Sequence, residues 1–365
     1  MSSIVDSEPA GHILAYVQSL KGGGVERALL RMTRGWVGRG RRVSLVVGAL
    51  DGPLVAEIPL AAQVIELGDP RYRALLRLPA IVRANRPDVI FCAGNHYSGA
   101  AAYARLRLGR ACPPVVGKVS NALVRPELAP GAAWRYRRWL RLHPRFLDHV
   151  VAMTPAMAAE AVAELGIAPE RVCVIPNPPA EPIAGAAPVA LPDGRFLLGV
   201  GRLEPQKRWD RLIAALPRLA DKSIRLVILG EGGARGALEE QVRALGLADR
   251  VSMPGHAGDP LPALERAAVV ALTSDYEGVP GVLREALSVG TPVVATESSV
   301  AVREIVASPD LGSVVARDDA DALVAALDHW LAPGRARPAP VVAEHPDPVG
   351  DYLALFDRLV DQRRR

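Results

Sequence analysis

Short, continuous apolar runs alternate with helical segments along almost the whole chain, and this alternation most constrains the fold. Continuous apolar runs are expected of parallel strands that are covered on both faces. Strand–helix alternation is typical of doubly wound α/β sheets. In the first half, strands are predicted at 12–19, 42–48, 62–67, 88–92, 114–119 and 149–153. In the second half, strands are predicted at 195–200, 224–229, 250–253, 268–272, 292–295 and 313–315.

A stretch rich in proline and alanine, residues 176–193, separates these two blocks of strands. Such a composition is typical of a linker, and a length of 365 residues favours two domains over one. We therefore expect two doubly wound α/β domains and a last amphipathic helix. The expected bounds are 1–178 for the first domain, 179–193 for the linker, 194–346 for the second domain and 347–365 for the helix.

Cysteine usage and hydropathy indicate the compartment. Cys92, Cys112 and Cys173 are few and irregularly spaced, which argues against a disulfide framework or a zinc site. No apolar run reaches the roughly 18 residues that a membrane-spanning helix needs, and residues 1–11 are polar and acidic, unlike a signal peptide. We expect a cytoplasmic protein.

Charge is distributed unevenly between the halves. Residues 1–180 hold 23 Lys and Arg against 13 Asp and Glu, whereas residues 181–365 hold 21 against 26. A basic half indicates an anionic acceptor or surface as its partner. Within it, residues 134–143 form a basic amphipathic segment that is a candidate for peripheral contact with the inner face of a membrane. The alternative is a solvated helix face.

The most informative local stretch is residues 274–296, where two carboxylates, Glu277 and Glu285, flank a turn rich in glycine and proline. A helix is predicted to begin near Gly281. The first free amides of a helix suit a phosphate group, and the carboxylates can accept hydrogen bonds from hydroxyls. The combination favours a sugar-nucleotide site, with phosphate expected at Gly281, Val282 and Leu283.

This stretch closely resembles the two-glutamate motif of family 4 of the retaining glycosyltransferases, the bacterial group 1 enzymes. Three further stretches, 21–27, 174–178 and 200–215, resemble motifs of that family in the same order. The resemblance implies a B-type fold, in which two Rossmann-like domains face each other and a C-terminal helix crosses back to the first domain.

By this resemblance, three residues are candidate catalytic groups. Arg202 and Lys207 follow the strand that opens the second domain, and the family uses an Arg and a Lys there to bind the donor diphosphate. Their charges would stabilise the leaving group without an essential metal, as the resemblance implies. Glu277 would hold hydroxyls of the donor sugar, and Glu285 would hold the ribose.

Two glycine-rich turns are further donor-binding candidates. Gly23 and Gly24 follow the first strand and would let the backbone approach a phosphate; the alternative is a plain tight turn. Glu231 lies in a Gly-Glu-Gly turn, which the resemblance puts near the nucleobase; the alternative is again a structural turn.

Candidates on the acceptor side follow the fourth and fifth strands. Asn95 and His96 come after the fourth, where His96 could donate to a phosphate, orient an acceptor hydroxyl or simply pack. Many family members carry a histidine after the fifth strand, whereas this chain has Lys118, Ser120 and Asn121 there. We expect one of these three to replace the missing histidine.

The sequence thus predicts a retaining, metal-independent glycosyltransferase without a cofactor. Its partners would be a nucleotide-diphosphate sugar, with a UDP-sugar favoured, and a glycan, lipid-linked or small-molecule acceptor; no nucleic-acid partner is expected. The alternative is a donor-binding but inactive subunit that supports a partner transferase. A nicotinamide-dependent oxidoreductase is disfavoured, because Arg27 occupies the third glycine position of the GxGxxG fingerprint.

Overall fold

The chain divides into two compact units, each built around one parallel sheet. The computed structural model describes residues 9–125, 128–178, 189–342 and 347–365. The first unit comprises Met1–Pro178 together with His345–Arg365, and the second comprises Pro179–Glu344. The predicted fold class, two Rossmann-like α/β units, is confirmed.

The sheet of the first unit has seven parallel strands in the order β3-β2-β1-β4-β5-β6-β7. Its strands are β1 His12–Val17, β2 Arg42–Val47, β3 Gln63–Glu66, β4 Val89–Cys92, β5 Val115–Lys118, β6 His149–Ala152 and β7 Val172–Val174. Its helices are α1 Gly24–Gly38, α2 Leu78–Asn85, α3 Ser98–Leu108, α4 Pro130–Leu140 and α5 Pro155–Leu165. Strands β1, β4, β5 and β6 are almost fully buried, which explains their continuous apolar runs.

The sheet of the second unit has six parallel strands in the order β10-β9-β8-β11-β12-β13. Its strands are β8 Phe196–Val200, β9 Arg225–Leu229, β10 Val251–Gly255, β11 Val269–Leu272, β12 Val293–Thr296 and β13 Gly312–Val315. Its helices are α6 Trp209–Ala215, α7 Arg235–Ala244, α8 Leu261–Arg266, α9 Gly281–Ser288, α10 Val300–Ile305 and α11 Ala320–Trp330. Two apolar clusters, one on each face of the sheet, form its core.

Every strand predicted from the sequence is present, with small shifts at the ends, and one strand was missed. Strand β7 has only three residues, all half-buried, and is therefore shorter than the runs of about four to eight residues by which strands are recognised. The basic segment predicted at 134–143 lies mostly on α4, which ends at Leu140. Residues 179–188 of the predicted linker lie outside the described residues, whereas Val189 and Leu191 pack on the core of the second unit.

The chain returns to the first unit through a C-terminal helix, α12 Pro348–Arg364. Tyr352 and Phe356 of this helix pack edge-on against Trp36 of α1 and Phe91 of β4, with ring centroids 5.3 to 6.2 Å apart. All four rings are buried. Edge-to-face aromatic pairs stabilise a protein beyond the contribution of the apolar area that they bury. We therefore take this cluster as the main attachment of α12.

None of the helices in the described ranges is both long enough and apolar enough to cross a membrane.

The aromatic cluster should contribute more to the free energy of unfolding than the ion pair at the start of α12. Replacement Phe356→Ala removes a fully buried ring and should lower the free energy of unfolding of the first unit by about 3–5 kcal/mol. Arg39→Ala breaks the exposed Arg39–Asp347 pair, whose N–O distance is 2.6 Å, and should cost at most about 1 kcal/mol. Urea unfolding of both variants measures the difference. Equal costs would contradict the prediction that the rings are the main attachment of α12.

Candidate functional site

The predicted donor-binding residues of the second unit lie at the carboxyl-terminal edge of its sheet, whereas Gly23 and Gly24 lie in the first unit. Strand order reverses between β8 and β11, which are neighbours in the sheet but not in the chain. Open α/β sheets bind ligands at the carboxyl ends of the strands at such a switch point. The turn after β8 carries Arg202 and Lys207, and the loop after β11 carries Glu277. Topology therefore brings together groups that are 70 positions apart in sequence.

Lys207 and Glu277 form an ion pair, with 2.5 Å between Nζ and Oε1. Their side chains are only 16% and 10% exposed, so the pair is screened by water much less than a surface pair. Lys207 therefore does not sit on an open turn, whereas Arg202 is exposed. Removing either partner of the pair would leave a largely buried charge without its counter-ion, which is strongly destabilising.

Strand β12 and the segment after it fix the loop that carries Glu277. Ser274 Oγ donates to Glu277 Oε1 at 2.6 Å, and Thr296 Oγ1 donates to the Ser274 carbonyl at 2.7 Å. The Glu277 N–H donates to the Ser298 carbonyl at 2.9 Å. Ser274 thus binds the carboxylate, Thr296 fixes the Ser274 backbone and Ser298 fixes the Glu277 backbone; all three are buried, which is how a rigid site is supported.

Helix α9 begins at Gly281, as predicted, with Pro280 as its N-cap. Gly281 is exposed, whereas the Leu283 side chain is fully buried and its N–H already donates to the Pro280 carbonyl at 3.1 Å. Of the three predicted amides, those of Gly281 and Val282 are therefore the ones left for a phosphate. Glu285 lies one turn further along the helix and is half-buried.

The Gly-Glu-Gly turn after β9 is required by close packing against the turn that carries Arg202. A Cβ on Gly230 would lie 1.9 Å from the Gly201 carbonyl oxygen, and one on Gly232 would lie 2.4 Å from that of Leu203. The Leu203 N–H donates to the Glu231 carbonyl at 2.8 Å. The Glu231 carboxylate pairs with Arg235 at 2.5 Å, which lowers the pKa of Glu231.

In the first unit, the glycine turn after β1 leads into α1. Gly22 and Gly23 both have positive φ, 112° and 157°, and Gly23 is the N-cap of the helix. A Cβ on Gly23 would lie 2.3 Å from Glu26 Oε2, and Tyr97 Oη donates to Glu26 Oε1 at 2.8 Å. Around Gly24 there is open space, with no atom within 4 Å of a built Cβ. The turn is thus a tight one that leaves Gly24 approachable.

Three of the acceptor-side candidates form a network that joins the loops after β4 and β5. Asn95 Nδ2 donates to the Asn121 carbonyl at 2.8 Å, and the Ser120 N–H donates to Asn95 Oδ1 at 2.7 Å. The Asn95 N–H also donates to Ser120 Oγ at 3.3 Å. The Asn95 amide is therefore used to fix the two loops, with one of its N–H groups remaining for a ligand.

The other two acceptor-side candidates differ sharply in burial. His96 is exposed, with its Nε2 3.2 Å from Gln18 Oε1 and its ring against Tyr72 and Tyr97. Lys118 is only 5% exposed, and its Nζ donates to Asn177 Oδ1. Burial lowers the pKa of Lys118 from 10.5 to about 7. The Lys118 amine thus lies inside the first unit rather than on its surface.

Sequence reasoning missed some polar residues around Lys207 and Glu277. Ser274 lies within the recognised motif but had no assigned role, and Arg208 and Asp275 were not singled out. Arg208 is adjacent to Lys207 in sequence, and Ser274 and Asp275 lie close to Glu277; this proximity was the signal that could have indicated them. No group of three or more His, Cys, Asp or Glu side chains placed to hold a metal ion occurs in the ranges that the structure describes.

Two family models match the chain side by side. The model described as Glycosyltransferase Family 4 matches residues 22–178, and the one described as Glycosyl transferases group 1 matches residues 187–339. Together they cover most of both units. The chain belongs to the group 1/family 4 glycosyltransferases, with the B-type fold that its two sheets display.

Two curated relatives show the range of similarity in sequence. The chain is 32% identical over 151 residues to the N-acetylgalactosamine-N,N'-diacetylbacillosaminyl-diphospho-undecaprenol 4-alpha-N-acetylgalactosaminyltransferase of Campylobacter jejuni, covering 41% of each protein. It is 29% identical over 217 residues to the lipopolysaccharide core biosynthesis glycosyltransferase LpsE of Rhizobium meliloti, covering 57% of this chain and 61% of that protein. The chain thus spans less than two thirds of the length of these relatives.

Solved structures match over nearly the whole chain. HepE of Anabaena in complex with UDP-glucose has a TM-score of 0.69 at 20% identity and covers 96% of this chain and 95% of its own. Sucrose-phosphate synthase of Thermosynechococcus elongatus has a TM-score of 0.71 at 20% identity, covering 96% and 93%. At such low identity these likenesses show the fold alone.

The buried Lys118 should make the stability of the first unit depend on pH. Between pH 7 and 10.5 the unfolded chain holds the Lys118 proton and the folded chain releases it, so stability should rise with pH in this window. The slope is at most about 1.4 kcal/mol per pH unit. Below pH 7 the folded protein bears the full cost of a buried charge. Lys118→Met should therefore stabilise the protein most below pH 7, and the gain should shrink toward pH 10.5.

Urea unfolding of Lys118→Met and of the parent across this pH range measures the effect. Burial raises the pKa of the neighbouring Cys92 from 9.0 to about 11, so Cys92 contributes with the opposite sign above pH 9; this contribution is common to parent and variant and cancels in their difference. Burial lowers the pKa of His143 from 6.5, which keeps its titration below the window. The exposed Lys222→Met is the matched control. A constant difference between Lys118→Met and the parent at all pH values would mean that Lys118 titrates normally.

Proposed function

We propose that the chain is a retaining glycosyltransferase that moves a sugar from a nucleotide-diphosphate sugar, with a UDP-sugar favoured, to a glycan, lipid-linked or small-molecule acceptor. The observation that carries this proposal is the Lys207–Glu277 pair at the carboxyl edge of β8 and β11. A cation suited to a diphosphate and a carboxylate suited to sugar hydroxyls are held there by one rigid set of loops. Arg202 and the first amides of α9 add two more phosphate-binding elements.

In the proposed reaction, the bond between the anomeric carbon and the diphosphate oxygen breaks while the acceptor oxygen bonds to the same face of the sugar. The departing phosphate oxygen takes the proton of the acceptor hydroxyl, so no protein nucleophile is required. Arg202 and Lys207 stabilise the negative charge that develops on the diphosphate. In this proposal they do so without a metal ion.

The two glutamates have separate roles in the proposal. Lys207 and Ser274 both donate to Glu277 Oε1, and the proposal gives its Oε2 to the hydroxyls of the donor sugar. Glu285, one turn into α9, accepts from the ribose hydroxyls. Donor binding then draws mainly on the second unit, with Gly23 and Gly24 as the donor-binding candidates of the first unit, which also supplies the acceptor side.

An anionic or membrane-bound acceptor is the form that the surface of the first unit favours. On α4, Trp134 is 61% exposed and the Arg138 guanidinium lies 5.1 Å from its ring centroid. Arg135, Arg137 and Arg141 are also exposed nearby. An aromatic ring among arginines suits an anionic interface. The diphospho-undecaprenol in the name of the Campylobacter jejuni relative is in line with such an acceptor.

A donor-binding but inactive subunit is the second candidate. It is favoured by one observation: the Asn95 amide and the Lys118 amine, both predicted to face the acceptor, make hydrogen bonds within the first unit. Hydrolysis of UDP-, GDP- and ADP-sugars, measured with and without an extract of lipid-linked acceptors, distinguishes the candidates. Binding without turnover under either condition would favour the inactive subunit.

Arg202 gives the cleanest test of the proposed site. Arg202→Ala should lower turnover by a factor on the order of a hundred or more, the usual cost of losing one stabilising group. Its fold should survive because Arg202 is exposed, whereas Lys207→Ala would also destabilise the protein by unpairing Glu277.

In parallel, Glu285→Ala should weaken binding of free UDP or GDP in a thermal-shift assay.

Arg218→Ala is the matched control, since Arg218 lies on the same unit in a surface pair with Asp321. It should transfer sugar like the parent. Near-normal transfer by Arg202→Ala would refute its role at the diphosphate, and unchanged nucleotide binding by Glu285→Ala would refute the ribose contact.

The basic helix gives a test of the acceptor surface. Reversing charge at Arg137, Arg138 and Arg141 should abolish flotation with anionic liposomes at low salt and lower transfer to a lipid-linked acceptor. Raised salt should weaken parent binding in the same way, because the Debye length is only about 8 Å at physiological ionic strength.

Charge reversal at Arg73, Arg107 and Arg110, three exposed arginines elsewhere on the first unit, is the control and should leave flotation intact. If the parent does not float and the helix variant keeps full activity, the acceptor is a soluble molecule and α4 is a solvated surface.

A further inference from the structure

We infer that Arg208 is a positioning residue that, through Asp275, clamps the turn carrying Lys207 to the loop carrying Glu277. The catalytic consequence rests on the proposed function. The clamp itself is a statement about the free protein and can be tested without any donor.

The backbone of Arg208 is the first sign of this role. It has φ 51° and ψ 42°, and in the ranges that the structure describes only Arg86, at φ 47°, is another non-glycine residue with positive φ. The left-handed region is unfavourable for residues with a Cβ and is readily adopted by glycine. Such a conformation persists where its surroundings hold it in place. Here it turns the chain from the Lys207 turn directly into α6.

The Arg208 side chain holds its own backbone in this left-handed conformation. Its Nε and Nη2 donate to the Asp210 carboxylate at 3.0 Å, while its Nη1 lies 3.3 Å from both oxygens of Asp275. These contacts, with Asp210 first, raise the pKa of Arg208. The planar, five-donor guanidinium binds Asp210 through two N–H groups and reaches Asp275 with a third, and lysine lacks this planar fork.

Asp275 is the other half of the clamp. Its Oδ1 also accepts from Arg211 Nη1 at 2.6 Å, and its N–H donates to the Gln206 carbonyl at 2.9 Å. It is therefore joined by its side chain to the start of α6 and by its backbone to the residue before Lys207. Because Asp275 lies two positions before Glu277, this double attachment fixes one loop relative to the other.

Two further contacts reinforce the same junction. Thr273 Oγ1 lies within hydrogen-bonding distance of the carbonyls of Lys207 and Arg208, at 3.1 and 2.9 Å. Gln206 Nε2 donates to the Tyr276 carbonyl at 2.6 Å. The flexible lysine side chain reaches Glu277 in one geometry only if both backbones are fixed, and these contacts fix them on either side of the ion pair.

Lysine acylation measures the clamp directly, because the chain has only four lysines: Lys21, Lys118, Lys207 and Lys222. In the parent, Lys207 should react much more slowly than Lys21, since their side chains are 16% and 65% exposed. Arg208→Gly permits the positive φ but removes the clamp, and Asp275→Asn removes only the charge. Both variants should increase acetic anhydride labelling of Lys207 severalfold relative to Lys21 and Lys222, as read by mass spectrometry.

Arg86→Gly is the matched control, because it makes the same replacement at the other left-handed arginine, in the other unit. It should leave the labelling of Lys207 unchanged. Unchanged labelling of Lys207 in both Arg208→Gly and Asp275→Asn would overturn the inference. If Arg208→Gly does not fold, as judged by circular dichroism, Asp275→Asn alone decides.

Protection by nucleotide separates this inference from the proposed function. Free UDP or GDP should slow labelling of Lys207 in the parent if the donor diphosphate binds there. Raised labelling in the variants without nucleotide protection in the parent would support the clamp and count against the donor site. With an active enzyme, Arg208→Gly should lower kcat by about tenfold or more, because small misplacements are costly, with a smaller change in donor KM; an unchanged kcat would contradict a positioning role.

Discussion

The ion pair between Lys207 and Glu277 is the interaction around which the second unit is organised. It joins the turn after β8 to the loop after β11, two strands that are adjacent only because the sheet reverses its order there. Most of the polar contacts described above serve this junction. Ser274 and Thr296 support the carboxylate, and Thr273 and Gln206 bind the turn of the lysine. A largely desolvated pair is favourable only when such contacts fix its geometry.

Glycine has a complementary role at the same place. Gly230 and Gly232 allow the turn after β9 to lie directly against Gly201 and Leu203. The turn after β9 therefore also supports the turn that carries Arg202. Arg208 is the exception to this use of glycine. A left-handed position that glycine would occupy without strain is held by an arginine, and two carboxylates offset the cost.

The first unit uses its polar groups differently. Its aromatic cluster attaches the last helix, and the Asn95 and Lys118 side chains bind neighbouring loops and strand ends. Buried polar groups of this kind must be hydrogen-bonded to be tolerated. The first unit therefore uses Asn95 and Lys118 to join its own segments, while the arginines of α4 remain on its surface.

Sequence alone determined the α/β class, the strands of the described ranges except for β7, the start of α9 at Gly281 and the family. These features depend on local sequence. A continuous apolar run indicates a parallel strand that is buried on both faces, and each motif lies within a single strand–turn–helix unit. Only the tertiary structure decided that Lys207 is paired with Glu277 rather than exposed, that Lys118 is buried against Asn177, and that Arg208 reaches Asp275. Each of these contacts joins residues 59 to 70 positions apart. The pattern of one segment cannot reveal them, because sheet order and the packing of loops, rather than sequence spacing, decide which side chains meet.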